Sequence, residues 1–330
     1  MDLRIAIVGA GWAGGMHAEA YSSMKGVEIA SVVGRSATRA KALAAKLKAK
    51  ASTDLEGVLG DPTIDAVDVC VPSALHREVV VRALEAGKHV FMETPMALTL
   101  EDADAMVATA KKHRTIVAVG QLMKFLVPYS MIRKASEDGE LGEPRMAHAA
   151  RLSGPYWSAK NPRDFSLYGD PMVELMIFEY EYLHWIYGKP RGVHARGVRG
   201  PSGHVLHALV TMEYEDHLAL VEGSAMMPRS WPFTTYLRLQ GTEGSMETRG
   251  RFLGGDAPAT EFVRYRAEGK MEPVAFEGQD PYLAECEHFV RSVSGKADVA
   301  MIDGASAREA LAVALAARES VDRGKSIRMA

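Results

Sequence analysis

Three short stretches of the chain carry residues able to do chemistry. Near the N-terminus, Gly9-Ala10-Gly11-Trp12-Ala13-Gly14 spaces three glycines as G-x-G-x-x-G. In that pattern Gly9 permits a tight turn, Gly11 lets backbone approach a diphosphate, and Gly14 lets the next helix pack on the preceding strand. A dinucleotide would then lay its diphosphate on the helix N-terminus, beside Trp12 and Ala13, where free N–H groups and the helix dipole favour an anion. The second stretch, Glu93-Thr94-Pro95, sets a carboxylate and a hydroxyl on a restricted turn after an apolar run. In the third, Glu174, Phe178 and Glu181 stand at i, i+4 and i+7, one face of a helix if residues 174–185 form one. Carboxylates there are candidate acceptors for the proton released when a hydroxyl or hemiacetal carbon gives up hydride.

These stretches need elements to position them. Residues 3–8 are a continuous Ile/Val-rich run, the pattern of a strand buried on both faces of a parallel sheet, and a helix follows the glycines. Runs at 27–33, 66–71, 89–93 and 116–119 repeat the strand pattern with helical stretches between them. Alternation of this kind predicts a doubly wound parallel sheet covered by helices, with ligands at the carboxyl ends of its strands. Val71-Pro72-Ser73, with His76 following, and Glu93-Thr94 would lie at that edge, and Gln121 just beyond the last strand. The second half reads differently: residues 208–214 and 217–226 make a hairpin, and 235–239, 246–248 and 261–266 add short alternating strands. The expected division is a dinucleotide-binding domain over 1–122 and a second α/β domain, with a mostly antiparallel open sheet, over 123–330. A closing helix at 305–322 could pack back on the first domain.

The end of the second strand bears on the choice of dinucleotide. It reads Val33-Gly34-Arg35-Ser36-Ala37-Thr38-Arg39, with no Asp or Glu to bind the ribose hydroxyls of NAD. Arg35 offers a planar fork to a 2′-phosphate, and Ser36 and Arg39 further donors, so NADP is preferred, with NAD possible.

Composition narrows the partners. The 330 residues are 47% hydrophobic and 25% charged, and 39 Lys plus Arg against 42 Asp plus Glu give a net charge of -3, which offers no attraction to nucleic acid. No apolar run approaches the ~18 residues of a membrane helix, and no secretory leader pattern is present, so a cytoplasmic protein is expected. Cys70 and Cys286 lack metal-ligand spacing and read as buried free thiols, with no metal expected.

Taken together, GAGWAG, VPSALH, AGKHVFMETPMAL and VGQLMKF resemble the glucose-fructose oxidoreductase, inositol dehydrogenase and rhizopine-catabolism family, Gfo/Idh/MocA, across essentially the whole chain. The resemblance implies an NAD(P)-dependent oxidoreductase with an N-terminal Rossmann domain and a C-terminal sheet that mediates homodimers or homotetramers. In typical members a Lys in Glu-Lys-Pro and a His on a helix handle the proton. Here Thr94 stands at the Lys position and Phe178 at the His position, so the member is atypical. Within the family the pattern is similar to semialdehyde dehydrogenases of aromatic-ring catabolism, which also lack that lysine.

The double replacement leaves several readings. In the first, Glu181 or Glu174 accepts the proton, Thr94 hydrogen-bonds near the nicotinamide, and Lys124 and Arg163 bind a substrate carboxylate, with Phe178, Tyr156 and Trp157 lining the pocket. In the second, the remaining glutamates make an anionic pocket for an amine or imine. Others are a non-redox, lyase-like use of the cofactor and a non-catalytic regulatory subunit.

Overall fold

The computed structural model describes residues 3–156, 163–253 and 258–329. The chain forms two compact units, Met1–Phe125 with Asp280–Arg308, and Leu126–Gln279 with Glu309–Ala330.

The first unit alternates strand and helix: β1 (Leu3–Val8), α1 (Trp12–Ser23), β2 (Val27–Val33), α2 (Ala37–Leu47), β3 (Lys50–Ser52), α3 (Leu55–Leu59), β4 (Ala66–Val69), α4 (His76–Glu85), β5 (His89–Met92), α5 (Leu100–His113) and β6 (Val117–Val119). The six strands are parallel in the order β3-β2-β1-β4-β5-β6. The order reverses between β1 and β4, the crevice where open α/β sheets bind their ligands. Apolar strands are required because helices cover both faces, and β4 and the second half of β1 are accordingly buried at every position. Helix signals are local. Thr99 caps α5 by accepting from the Asp102 N–H, with Glu101 and Asp102 in its first turn and Lys111, Lys112 and His113 in its last, matching the helix dipole at both ends. Helix α10 (Pro281–Val293) returns to this unit and seats Phe289 on Phe91, ring centroids 5.3 Å apart and both rings fully buried. Each such ring contributes about 1.5–3 kcal/mol by burial.

The second unit holds α6 (Val127–Glu137), β7 (Pro144–Leu152), α7 (Phe165–Tyr168), α8 (Pro171–Glu174), α9 (Ile177–Tyr187), β8 (Gly192–Arg199), β9 (Val205–Glu213), β10 (Leu218–Ser224), β11 (Phe233–Gly241), β12 (Gly244–Phe252), β13 (Ala259–Arg266), β14 (Met271–Pro273) and, at the end of the chain, β15 (Ile327–Arg328). Its nine strands run β14-β13-β12-β11-β7-β10-β9-β8-β15, antiparallel except for the β7/β10 pair. The hairpin expected at 208–214 and 217–226 is β9–β10, closed by the Tyr214 N–H on the His217 carbonyl. The closing helix is α11 (Gly304–Arg323).

Two sequence expectations need correction. Residues 174–185 are not one helix: Asp170 caps a single turn through the Met172 N–H with Pro171 in its first position, and α9 starts afresh at Ile177. Glu174 therefore does not continue the Phe178–Glu181 face. Strand β4 also ends at Val69, so Cys70, Val71 and Pro72 form the turn that follows it.

Candidate functional site

The glycine turn is built as a cradle. Gly9 has φ +124°, and a Cβ there would stand 2.4 Å from the Cys70 carbonyl oxygen. A Cβ on Gly14 would meet the Gly9 carbonyl oxygen at 2.0 Å, while one on Gly11 would meet nothing within 4 Å. Gly9 and Gly14 are thus fixed by the protein itself, whereas the exposed face at Gly11 is left open to a ligand. Helix α1 begins there with no side-chain cap and no acidic residue in its first turn. Its free N–H groups and open backbone fit a dinucleotide diphosphate. Trp12 is 71% exposed and rests edge-on against Tyr282, with centroids 5.8 Å apart; Ala13 is half-buried.

Beside this cradle, the ends of β2, β4, β5 and β6 supply the remaining expected contacts. Arg35 and Arg39 are exposed after β2, and Ser36 spends its hydroxyl oxygen on the Arg39 N–H as the cap of α2. Pro72 is half-buried and Ser73 buried in the turn after β4. His76 is a brace: buried, with Nδ1 3.2 Å from the Met96 carbonyl and Nε2 2.9 Å from the Val71 carbonyl. Burial pushes its imidazole below its usual range, which keeps the ring neutral, so its single N–H donates to only one of the two carbonyls. Glu93 and Thr94 follow β5 at a cis Thr94–Pro95 bond, and both are half-buried. Gln121 is fully buried after β6 and accepts from the Lys124 ammonium. Lys124, expected to bind a substrate carboxylate, is itself buried and also donates to the Met301 carbonyl at 2.8 Å. Its charge serves the interior of the first unit.

Behind the edge lies a cluster that sequence reading missed. His17 of α1 is fully buried, with Nδ1 3.1 and 2.9 Å from the two carboxylate oxygens of Asp68 on β4. Its Nε2 stands 3.1 Å from Glu93 Oε1, and Cys70 Sγ lies 3.4 Å from Nδ1. Burial pulls the His17 imidazole down, but the neighbouring Asp68, with a smaller contribution from Cys70, overcomes it and holds the ring well above its usual range. Burial pushes the Cys70 thiol up, so Cys70 stays neutral and Asp68 is the charge that matters. The signal was available: Asp68 sits in the otherwise apolar run Ala66-Val67-Asp68-Val69, and a carboxylate there requires a partner. His17, Asp68 and Cys286 bring ligand atoms within 4.8 Å of one another. His17 and Asp68 nonetheless face each other as donor and acceptor, not as two ligands converging on a common point.

In the second unit, the expected proton acceptors are engaged by arginines or buried. Glu174 pairs with Arg163, and the Tyr156 hydroxyl donates to it at 3.3 Å. The Arg163 guanidinium stacks over Tyr168 at 3.5 Å. Glu181 is buried inside α9, only 2% exposed. Glu179 is buried and bound by Arg151 of β7, whose guanidinium lies 4.3 Å from the Phe178 ring. Of the two glutamates expected to make a pocket anionic for an amine, Glu174 is paired with Arg163 and Glu181 is buried. Trp157 lies outside the described residues.

Comparison with known proteins identifies this architecture. Residues 3–121 match the oxidoreductase family with the NAD-binding Rossmann fold, Gfo/Idh/MocA, and residues 129–247 match the Gfo/Idh/MocA C-terminal domain. The chain belongs to the Gfo/Idh/MocA family. It is therefore an NAD(P)-dependent oxidoreductase. It is 26% identical over 329 residues to the UDP-N-acetylglucosamine 3-dehydrogenase of Acidithiobacillus ferrooxidans, covering 98% of each chain. A 145-residue stretch, 44% of this chain and 46% of the relative, is 36% identical to the 4-carboxy-2-hydroxymuconate-6-semialdehyde dehydrogenase of Sphingobium sp.. The fold also matches an aldose-aldose oxidoreductase of Caulobacter crescentus with a TM-score of 0.88 at 19% identity, covering 100% of both chains. Among the described residues no helix is long and apolar enough to cross a membrane.

Proposed function

We propose that the protein is an NADP-preferring dehydrogenase that oxidises a hydroxyl or hemiacetal carbon of a small polar substrate, sugar-like or a carboxylated semialdehyde in its cyclic form. The observation that carries the cofactor preference is the exposed Arg35 after β2, in a turn from Val33 to Arg39 without a carboxylate. An Asp or Glu there would repel a 2′-phosphate, and a guanidinium binds one through charge-assisted hydrogen bonds. Similarity to the UDP-N-acetylglucosamine and semialdehyde dehydrogenases supports the substrate class. Exposed Val198, Leu209 and Leu218 on β8, β9 and β10 support association into a homodimer or homotetramer through the nine-stranded sheet.

The residues that would hold the dinucleotide are Gly9, Gly11, Trp12, Ala13 and Gly14 at the diphosphate, and Arg35, Ser36 and Arg39 at the 2′-phosphate. Pro72, Ser73, Glu93, Thr94 and Gln121 border the same sheet edge, with His76 bracing it. When bound, the nicotinamide supplies the hydride acceptor. The Thr94 hydroxyl is assigned to hold the substrate oxygen. Arg163, expected from the sequence to bind a substrate carboxylate, is paired with Glu174 near Tyr156 within the second unit. A hemiacetal hydroxyl is more acidic than an ordinary alcohol, so a carboxylate base suffices where lysine would otherwise serve.

The deciding experiment compares kcat/KM for NADP+ and NAD+ with a panel of lactols, polyols and semialdehydes, in the wild type and in Arg35→Asp. The wild type should favour NADP+, and the variant should lower the NADP+/NAD+ ratio by about 30-fold or more, the worth of ~2 kcal/mol of charge-assisted bonding. Equal use of both cofactors by the wild type would remove the NADP preference. Absence of any cofactor reduction across the panel would remove the substrate class.

A further inference from the structure

We propose that Glu93 is the proton acceptor of this enzyme, held in place by a buried Asp68–His17 pair, so that an Asp-His-Glu line running from β4 through α1 to the end of β5 serves where lysine is missing. The proposal rests on the dehydrogenase reading above and names the residue that reading left open.

Geometry carries it. His17 has a carboxylate at each nitrogen: Asp68 at 2.9 Å from Nδ1, and Glu93 Oε1 at 3.1 Å from Nε2. The Nδ1–Asp68 contact is a hydrogen bond, whereas Nε2 only approaches Glu93 closely, without hydrogen-bond geometry; an imidazolium, with an N–H on each nitrogen, suits a carboxylate on either side. Asp68 and His17 are wholly buried, whereas the Glu93 side chain is 23% exposed. The line therefore runs from a sealed interior to the carboxyl edge of the sheet, and its open end is the residue before Thr94. Glu93 Oε2 accepts weakly from the Thr94 N–H at 3.3 Å, and a Cβ on Gly120 would lie 3.7 Å from it and 3.6 Å from the Met92 carbonyl and Glu285 Oε2.

The other groups around His17 leave that role to Glu93. Tyr21 lies on α1, Cys70 follows β4, Tyr282, Glu285 and Cys286 come from α10, and the Phe91 ring of β5 packs at 5.4 Å. Burial pushes Tyr21, Cys70 and Cys286 up, and none of them is charged at neutral pH. The Glu285 carboxylate also borders Gly120 but is only 1% exposed, against 23% for the Glu93 side chain. Asp68 offsets the imidazolium charge, so His17 can orient Glu93 without holding it as one half of an isolated ion pair.

In the step proposed, the substrate O–H bond breaks and its proton passes to Glu93 Oε2. The C–H electron pair leaves with the hydride for the oxidised dinucleotide, the C–O bond becomes C=O, and Glu93 then returns the proton to solvent. His17 and Asp68 are positioning residues and exchange no atom with the substrate.

The test uses the full chain saturated with NADP+. In 15N-labelled protein both His17 ring nitrogens should be protonated through neutral pH, and Glu93→Gln should shift the Nε2 resonance while leaving Nδ1 in place. A neutral His17, or an Nε2 signal indifferent to the substitution, overturns the proposal. Glu93→Gln should lower kcat by about 100-fold or more, the usual worth of a general base, with the NADP+ dissociation constant within about threefold of wild type. Lost cofactor affinity with kcat unchanged at saturation would make Glu93 a cofactor contact and overturn it. If Glu93→Gln does not fold, Glu93→Asp keeps the charge one methylene short and should give an intermediate kcat; wild-type kcat overturns the proposal. His17→Gln and Asp68→Asn should each move the pH profile of kcat, and an unmoved profile overturns the positioning role. Failure of the dehydrogenase reading is distinct: the wild type then reduces no cofactor, while the NMR comparison, which needs no turnover, still reports whether His17 and Glu93 are coupled.

Discussion

Arg151 and Glu179 form an ion pair inside the second unit, with Nη2 2.9 Å from Oε1, both Glu179 oxygens within 3.1 Å of Nε, and each side chain under a tenth exposed. One partner comes from the end of β7 and the other from the first turn of α9, so the pair ties the central strand of the sheet to the helix that carries Phe178. Burial raises the Glu179 carboxyl above its usual range, against the opposing pull of Arg151. Removing one member leaves a buried charge uncompensated, whereas removing both removes the penalty as well. Arg151→Met or Glu179→Gln alone should therefore destabilise the protein by about 3–5 kcal/mol, and the double variant by less than the sum of the two. Urea unfolding of the four proteins checks this; additive losses would show that the two side chains are not coupled.

Gly11 and Gly14 occupy the same motif with different physical jobs. A Cβ at Gly14 would collide with the Gly9 carbonyl, but a Cβ at Gly11 meets open space, and Gly11 has φ -93°, which any residue adopts. Gly14→Ala should cost roughly 1–3 kcal/mol through overpacking. Gly11→Ala should leave the melting temperature of the cofactor-free protein unchanged and weaken dinucleotide binding by about tenfold or more, because the added methyl stands where the diphosphate approaches. Thermal unfolding and cofactor titration on the two variants separate these effects. A Gly11→Ala protein that melts early but binds the cofactor normally would contradict the assignment.

The first unit was largely legible because its determinants are local. Leu3–Val8 is apolar throughout, Gly9, Gly11 and Gly14 mark the turn, and Thr99 caps α5 three residues before Asp102. The centre of the second sheet was not. Strand β7 reads Pro-Arg-Met-Ala-His-Ala-Ala-Arg-Leu, and its alanines carry little β-propensity; tertiary pairing with β10 and β11 makes it a strand. Helix spacing also misled. It placed Glu174 on one face with Phe178 and Glu181, whereas the Asp170 cap and Pro171 start a separate turn. His17 and Asp68 are 51 residues apart in the chain. Only the parallel pairing of β1 with β4, with α1 leading off the end of β1, brings them together.

The state of His17 also sets a pH dependence of stability. Its folded-state proton affinity is raised, so its contribution is complete at pH values below the usual imidazole range of ~6.5 and is lost as pH rises through the higher folded value. In that interval the unfolded chain has already released the proton that the native state retains, so unfolding releases a proton and stability falls with increasing pH. Cys70, Cys286 and Tyr21 would ionise later still, since burial raises all three. The wild type should therefore lose stability with rising pH above the usual imidazole range more steeply than His17→Gln, which has no such proton to lose. Chemical unfolding at a series of pH values measures both slopes. Parallel curves for the two proteins would mean that His17 is neutral in the native state and that Asp68 is offset by some other group.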